Sequence, residues 1–204
     1  FLKLTEERRK EIIDQVSYNT SLPTNAIEKD WWVTQTLKVI SLLKGSGKMV
    51  FKGGTSLSKG WDIIKRFSED IDIALDQSLF GISKNPSKQQ ITKLRVKAGK
   101  YISSDFLDEI KVKFSDSGIN DEISIKIVKA GSDTDPRIIE IVYEPLFQQS
   151  DYLKPIVKIE IGVRSLIEPN EMRELNSIIS SAMKDRISLE ESFSFAIVRP
   201  ENTF

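Results

Sequence analysis

Two adjacent glycines, Gly53-Gly54, fall between a short apolar run, Met49 to Lys52, and a stretch suited to a helix, Thr55 to about Lys65. A glycine pair between a strand and a helix marks a sharp turn and leaves it free of side chains. Farther on, Asp70 to Asp76 alternates: Ile71, Ile73 and Leu75 fall on one side, Asp70, Asp72 and Ala74 on the other. This is the period of a strand with one buried and one polar face. Strand, glycine turn, helix and amphipathic strand together constrain this part of the chain to a mixed α/β arrangement.

The flanking sequence extends that arrangement. Residues 5–17 read as a helix. Asn25, with Glu28 three residues on, matches a capping box. The helix it starts runs to about Leu43, with Val33, Leu37 and Ile40 on its inner face, Trp32 nearby, and Gly45-Ser46-Gly47 ending it. Residues 80–87 read as a loop and residues 88–109 as a basic helix. Ile123, Ile125 and Ile127 alternate with Ser124 and Lys126 as a strand. Arg137 to Tyr143 is a further strand, after the turn Gly131 to Pro136. Pro155 to Arg164 is the next, with Ile159, Ile161 and Val163 opposite Lys158 and Glu160. Glu171 to Lys184 reads as a helix, and Phe193 to Val198 as a last strand. The expected fold is one α/β domain over 1–204: N-terminal helices over 1–47, then a mixed-sheet core over 48–204 with flanking helices.

Composition removes much chemistry. The chain has no cysteine and no histidine, which excludes thiol nucleophiles, serine–histidine pairs and cysteine/histidine zinc sites. A metal would need oxygen ligands, which points to magnesium, manganese or calcium. Thirty basic residues balance thirty acidic ones, so a general nucleic-acid coat is not expected. A local basic stretch remains: Lys84, Lys88, Lys93, Arg95, Lys97 and Lys100, with no acid between Asp76 and Asp105. It is a candidate RNA contact, and a solvated helix face is its ordinary explanation. No apolar run is long enough for a membrane span and no export signal is read, so a cytoplasmic location is expected.

Asp70 and Asp72 project from one strand face and can reach one ion. Two like charges that close are costly without a cation. Magnesium takes one or two carboxylates together with phosphate oxygens. Gly53 and Gly54 let the backbone approach a phosphate, and Thr55 and Ser56 add hydroxyls. Gly45-Ser46-Gly47-Lys48 is not the end of a Walker loop, because Leu42 and Met49 stand where glycine and serine or threonine belong. Lys158 and Glu160 share a strand face, Glu160 as a third carboxylate and Lys158 as a phosphate contact. Each signal alone has a plain reading: a turn, a solvated strand face, an exposed ion pair. Their conjunction favours a triphosphate and metal site.

Phe51-Lys52-Gly53-Gly54-Thr55-Ser56-Leu57-Ser58-Lys59, continued by Ile64-Lys65-Arg66-Phe67-Ser68-Glu69-Asp70-Ile71-Asp72, resembles the AbiEii/AbiGii nucleotidyltransferase toxin family. That family belongs to the polymerase-β-like nucleotidyltransferase superfamily. Ile27-Glu28-Lys29-Asp30-Trp31-Trp32-Val33 and Val157-Lys158-Ile159-Glu160-Ile161 are similar to further family segments, and the resemblance covers about residues 20–204. It implies a nucleotidyltransferase core in which Gly53, Gly54, Thr55 and Ser56 bind triphosphate, with Lys59 and Ser68 near the nucleotide. Asp70 and Asp72 would bind Mg2+ or Mn2+, and Lys158 and Glu160 would complete the catalytic set.

The implied reaction moves a nucleotide from a nucleoside triphosphate to an acceptor hydroxyl, RNA or transfer RNA, and releases pyrophosphate. The implied setting is the toxin of a toxin–antitoxin or phage abortive-infection system, with a cognate antitoxin as candidate partner. A protein hydroxyl as acceptor, or a nucleotide-binding module without catalysis, are the alternatives. The family continues past Pro200-Glu201-Asn202-Thr203-Phe204 into a helical region with a further lysine and an acidic motif. The resemblance therefore also implies a longer protein with part of the site beyond this chain.

Overall fold

The computed structural model describes residues 1–64, 68–82, 86–119, 122–128, 136–148, 153–163, 167–184 and 192–202. Its helices are α1 (Glu6–Thr20), α2 (Thr24–Ser41), α3 (Gly53–Lys59), α4 (Lys88–Tyr101), α5 (Leu107–Asp116) and α6 (Ile178–Met183). Its strands are β1 (Met49–Lys52), β2 (Asp70–Leu75), β3 (Ile123–Ile127), β4 (Arg137–Tyr143), β5 (Ile156–Gly162), β6 (Asn170–Leu175) and β7 (Phe193–Val198). The strands form one mixed sheet in the order β3-β4-β5-β2-β1-β7-β6. β2/β5 and β1/β7 are parallel, and the other neighbours are antiparallel. The α/β expectation holds.

The strand period decides which face is buried. Ile71, Ile73, Ile139, Ile141, Val157, Ile159 and Ile161 are buried in one cluster with Ile13, Val33, Leu37 and Ile40 of α1 and α2 and Phe106, Ile110 and Phe114 of the α4–α5 rod. Each such side chain taken fully out of water contributes roughly 1.5–3 kcal/mol. The N-terminal helices thus share a core with the sheet. The opposite face carries the alternate residues Asp70, Asp72, Glu140, Lys158 and Glu160, all only partly buried.

Several local expectations need correction. The capping box at Asn25 does not form. Pro23 stands at the cap of α2, with no side-chain cap bond, and the Glu28 carboxylate accepts the Leu146 N–H at 2.7 Å instead. Helix α2 also stops at Ser41, short of Leu43. The helix expected from Thr55 to Lys65 ends at Lys59. Gly60 follows because a Cβ there would overlap the Ile197 side chain, and Asp62 turns the chain with φ 52°. Residue Lys65 lies outside the described residues.

The stretch Glu171 to Lys184 is a strand followed by a short helix. Its first part pairs with β7 from Asn170↔Val198 to Leu175↔Phe193, so an available strand edge overrides the helix propensity of Glu, Met, Arg and Leu. Only Ile178–Met183 is helical, capped by the Ser177 hydroxyl accepting the Ser180 N–H at 3.0 Å. The basic helix is longer than expected. A π-helical segment, Ile102–Phe106, carries α4 into α5, which ends at Asp116. Within the turn expected from Gly131 to Pro136, residues 131–135 lie outside the described residues, as does Arg164.

Candidate functional site

The glycine turn and the carboxylates are one packed unit. β1 and β2 are antiparallel, with Lys52 opposite Asp72. The next residue, Gly53, has φ 79°, which an L side chain rarely adopts. A Cβ at Gly53 would overlap Asp72 Oδ2 and lie 2.9 Å from Asp72 Cγ. The glycine is therefore required twice, by its backbone conformation and by the carboxylate packed against its Cα.

Strand register brings the second pair alongside. β2 and β5 run parallel with Asp70 opposite Lys158 and Asp72 opposite Glu160. The Lys158 ammonium pairs with the Glu160 carboxylate. On the far side of β5, Glu140 lies opposite Lys158 and is itself paired with Lys126 at 3.0 Å. One row of the open face thus alternates in charge, Lys126, Glu140, Lys158 and Asp70, while the next sets the carboxylates of Glu160 and Asp72 on neighbouring strands, followed by Lys52.

Burial raises both aspartates above the usual carboxylate range. For Asp70 the Lys158 charge opposes that rise, while Glu69 and Glu160 add to it. For Asp72 the Lys52 charge opposes it, and Glu160 and Asp70 add to it. Lys158 is pushed up, first by its hydrogen bond to Glu160. The carboxylates feel one another's charge, and a cation beside them relieves that repulsion.

The donor set suits a hard divalent cation in part. Asp70 and Asp72 offer oxygen ligands from one strand face, the number magnesium takes beside phosphate oxygens. Among the described residues, no three carboxylates converge as a ready metal cluster. Glu160 faces Asp72 in register but is engaged by Lys158.

The remaining expected residues have structural partners. Thr55 is buried, and its hydroxyl donates to the Asp70 carbonyl and lies 2.8 Å from Ser68 Oγ. Ser56 is buried, and its hydroxyl donates to the Gly53 carbonyl at 2.8 Å. These hydroxyls brace the turn and the start of β2 from behind. Lys59 is likewise held: its ammonium lies 2.7 Å from Asp30 Oδ1 and donates to the Asn176 carbonyl at 3.2 Å. Gly54 occupies the first turn of α3 beside Gly53.

A cavity of about 690 Å³ opens beside Asp30, Lys59, Ser68, Asn176 and Ser181. None of Asp70, Asp72, Lys158 or Glu160 lines it, so it is separate from the carboxylate face. Of the basic stretch, Lys88, Lys93, Lys97 and Lys100 are exposed on α4, and Arg95 is half-buried. Lys84 lies outside the described residues.

Sequence reasoning gave no site role to Lys52, Glu140 or the triplet Glu28-Lys29-Asp30, and assigned Glu28 only to a capping box. A signal for the triplet existed: three charges lie between Ala26-Ile27 and Trp31-Trp32-Val33, and charges inside an apolar helix stretch are buried with partners.

A family model described as nucleotidyl transferase AbiEii toxin, type IV TA system, matches residues 35–204. No curated protein matches the chain. No helix among the described residues is long and apolar enough to cross a membrane.

Proposed function

The chain belongs to the AbiEii nucleotidyl transferase toxin family of type IV toxin–antitoxin systems, and from that premise we propose that it moves a nucleotide from a nucleoside triphosphate to an RNA hydroxyl, with transfer RNA the favoured acceptor, in a magnesium- or manganese-dependent reaction. As a nucleotidyl transferase it is an enzyme, and its family setting carries a cognate antitoxin with it.

The observation that carries the reading is the packing of Gly53 against Asp72, with Asp70 on the same strand face and Lys158 and Glu160 in register beside them. In the proposed reaction the acceptor oxygen forms a bond to the α-phosphorus and the bond from that phosphorus to the bridging oxygen breaks. Pyrophosphate leaves with the electron pair. Asp70 and Asp72 would hold the divalent cation, whose chemistry would be to neutralise charge on the phosphates. Glu160 accepts the proton of the attacking hydroxyl. Lys158 stays protonated, because its pKa is raised, and meets the developing negative charge on the leaving group. Gly53 lets the turn close on the Asp72 carboxylate, and the backbone of Gly53 and Gly54 would meet the triphosphate there.

The test supplies each α-labelled nucleoside triphosphate, with Mg2+ or Mn2+, to the full chain with total RNA and total protein. Label in RNA that disappears in Asp70→Ala and Asp72→Ala supports the reading. Label in protein moves the acceptor to a polypeptide hydroxyl. Tight triphosphate binding with label in neither overturns the catalytic proposal.

A further inference from the structure

Glu28, Lys29 and Asp30 are consecutive on α2, and their exposures are only 2%, 3% and 7%. Buried charges are retained only with good partners. Each of these side chains leaves the helix toward a different segment. Glu28 accepts the Leu146 N–H in the connection between β4 and β5. Asp30 accepts from the Lys59 ammonium at 2.7 Å and from the Ile178 N–H at 2.8 Å. Between them, the Lys29 ammonium pairs with the Glu69 carboxylate and donates to the Lys154 carbonyl at 3.0 Å.

Glu69 directly precedes β2, and Lys154 lies just before β5. These strands are the parallel neighbours that align Asp70 with Lys158 and Asp72 with Glu160. Parallel neighbours have no hairpin to set their register. A one-residue slip of either strand would turn its charged residues toward the helix-covered face.

We propose that Lys29 is a positioning residue: its buried ammonium ties the starts of β2 and β5 together and so fixes the alignment of Asp70 and Asp72 with Lys158 and Glu160. It acts through Glu69 and the Lys154 backbone and touches no reacting atom. The proposal rests on the reading of this face as the site of nucleotidyl transfer.

For Lys29→Met, alignment and simple field effects predict opposite signs; in the double variant the lost Glu69 charge also weakens cation binding, so there the exchange pattern discriminates. Lys29 also acts on Asp70 through its charge. Removing that charge strengthens cation binding by the field alone, whereas lost alignment weakens it. The variants are Lys29→Met and the charge-neutral pair Lys29→Met/Glu69→Leu, since apolar replacement of an ion pair is often tolerated. Mn2+ is titrated into the nucleotide-free chain and followed by electron paramagnetic resonance. Hydrogen exchange is read across the sheet, and kcat and KM for the triphosphate are measured.

Both variants should weaken Mn2+ binding about ten-fold or more and lower kcat by a similar factor, with KM changing less. Exchange should quicken in β2 and β5 while β6 and β7 stay protected. Unchanged or tighter Mn2+ binding in the double variant overturns the proposal, as does exchange that quickens uniformly with kcat retained. If Lys29→Met unfolds, the double variant decides through its exchange pattern in β2 and β5. Failure of the double variant to fold also counts against a role confined to alignment. Wild-type chain that neither binds Mn2+ nor transfers nucleotide overturns the functional reading instead, and the exchange pattern still decides whether Lys29 aligns the two strands.

Discussion

Replacing Gly53 by alanine separates two costs that the structure places at one residue. The first is backbone strain: at φ 79° an alanine pays about 1–2 kcal/mol. In a domain of this size that lowers the melting temperature by roughly 2–8 °C. The second is steric. The new Cβ would overlap Asp72 Oδ2 and lie 2.9 Å from Cγ, so the carboxylate must retreat. A displacement on the order of 1 Å at a reacting centre lowers turnover about 100-fold.

Gly81 supplies the control. It has φ 71°, but a Cβ there meets nothing within 4 Å. Gly81→Ala should therefore show the melting shift and near-normal transfer, while Gly53→Ala shows a similar or larger shift and about a 100-fold loss. The assays are thermal melting and label transfer from an α-labelled triphosphate. Gly53→Ala with transfer within about two-fold of wild type would refute the coupling between the turn and Asp72. So would Gly81→Ala losing as much activity as Gly53→Ala.

Asp72→Asn should raise the melting temperature of metal-free protein, because burial and neighbouring carboxylates penalise the ionised form, and should abolish the further rise expected of wild type on adding Mn2+. For the same reason Mn2+ binding should weaken on acidification at a higher pH than an ordinary aspartate would give; isothermal titration across pH checks it. Glu28 is pushed up to about 7 by burial. Its folded form keeps a proton that the unfolded chain has lost, so stability falls as pH rises through this window, and the cost is complete above it. The rise from 4.5 to about 7, at about 1.4 kcal/mol per unit, is on the order of 3 kcal/mol. Glu28→Gln should be the more stable form above neutral pH and lose that advantage toward pH ~5 in urea titrations. Asp30→Asn should cost about 3–5 kcal/mol by denaturant unfolding, because it leaves the buried Lys59 ammonium without its counter-charge.

The strands most visible in the sequence are those whose period is local. Met49–Lys52, Arg137–Tyr143 and Phe193–Val198 fall where the pattern puts them, and the Asp70–Leu75 strand stops one residue short. Alternation places Asp70 with Asp72, and Lys158 with Glu160, on polar faces without any knowledge of the fold. Boundaries failed where a distant partner intervened. Asn170–Leu175 became a strand because β7 offered an edge, and α3 stopped early where Ile197 fills the space beside Gly60.

The sequence by itself determined which residues could share a face, the oxygen-only chemistry left by the absence of cysteine and histidine, and the family resemblance. Side-chain period and composition are properties of neighbours in the chain. Only the tertiary structure decided that Gly53 packs on Asp72, that Asp72 faces Glu160 across parallel strands, and that Thr55, Ser56 and Lys59 are held by structural bonds. It also decided that Lys29 joins the starts of two strands that are remote in sequence. Those facts depend on register and on which remote segment supplies the partner for a buried charge, and local patterning carries neither.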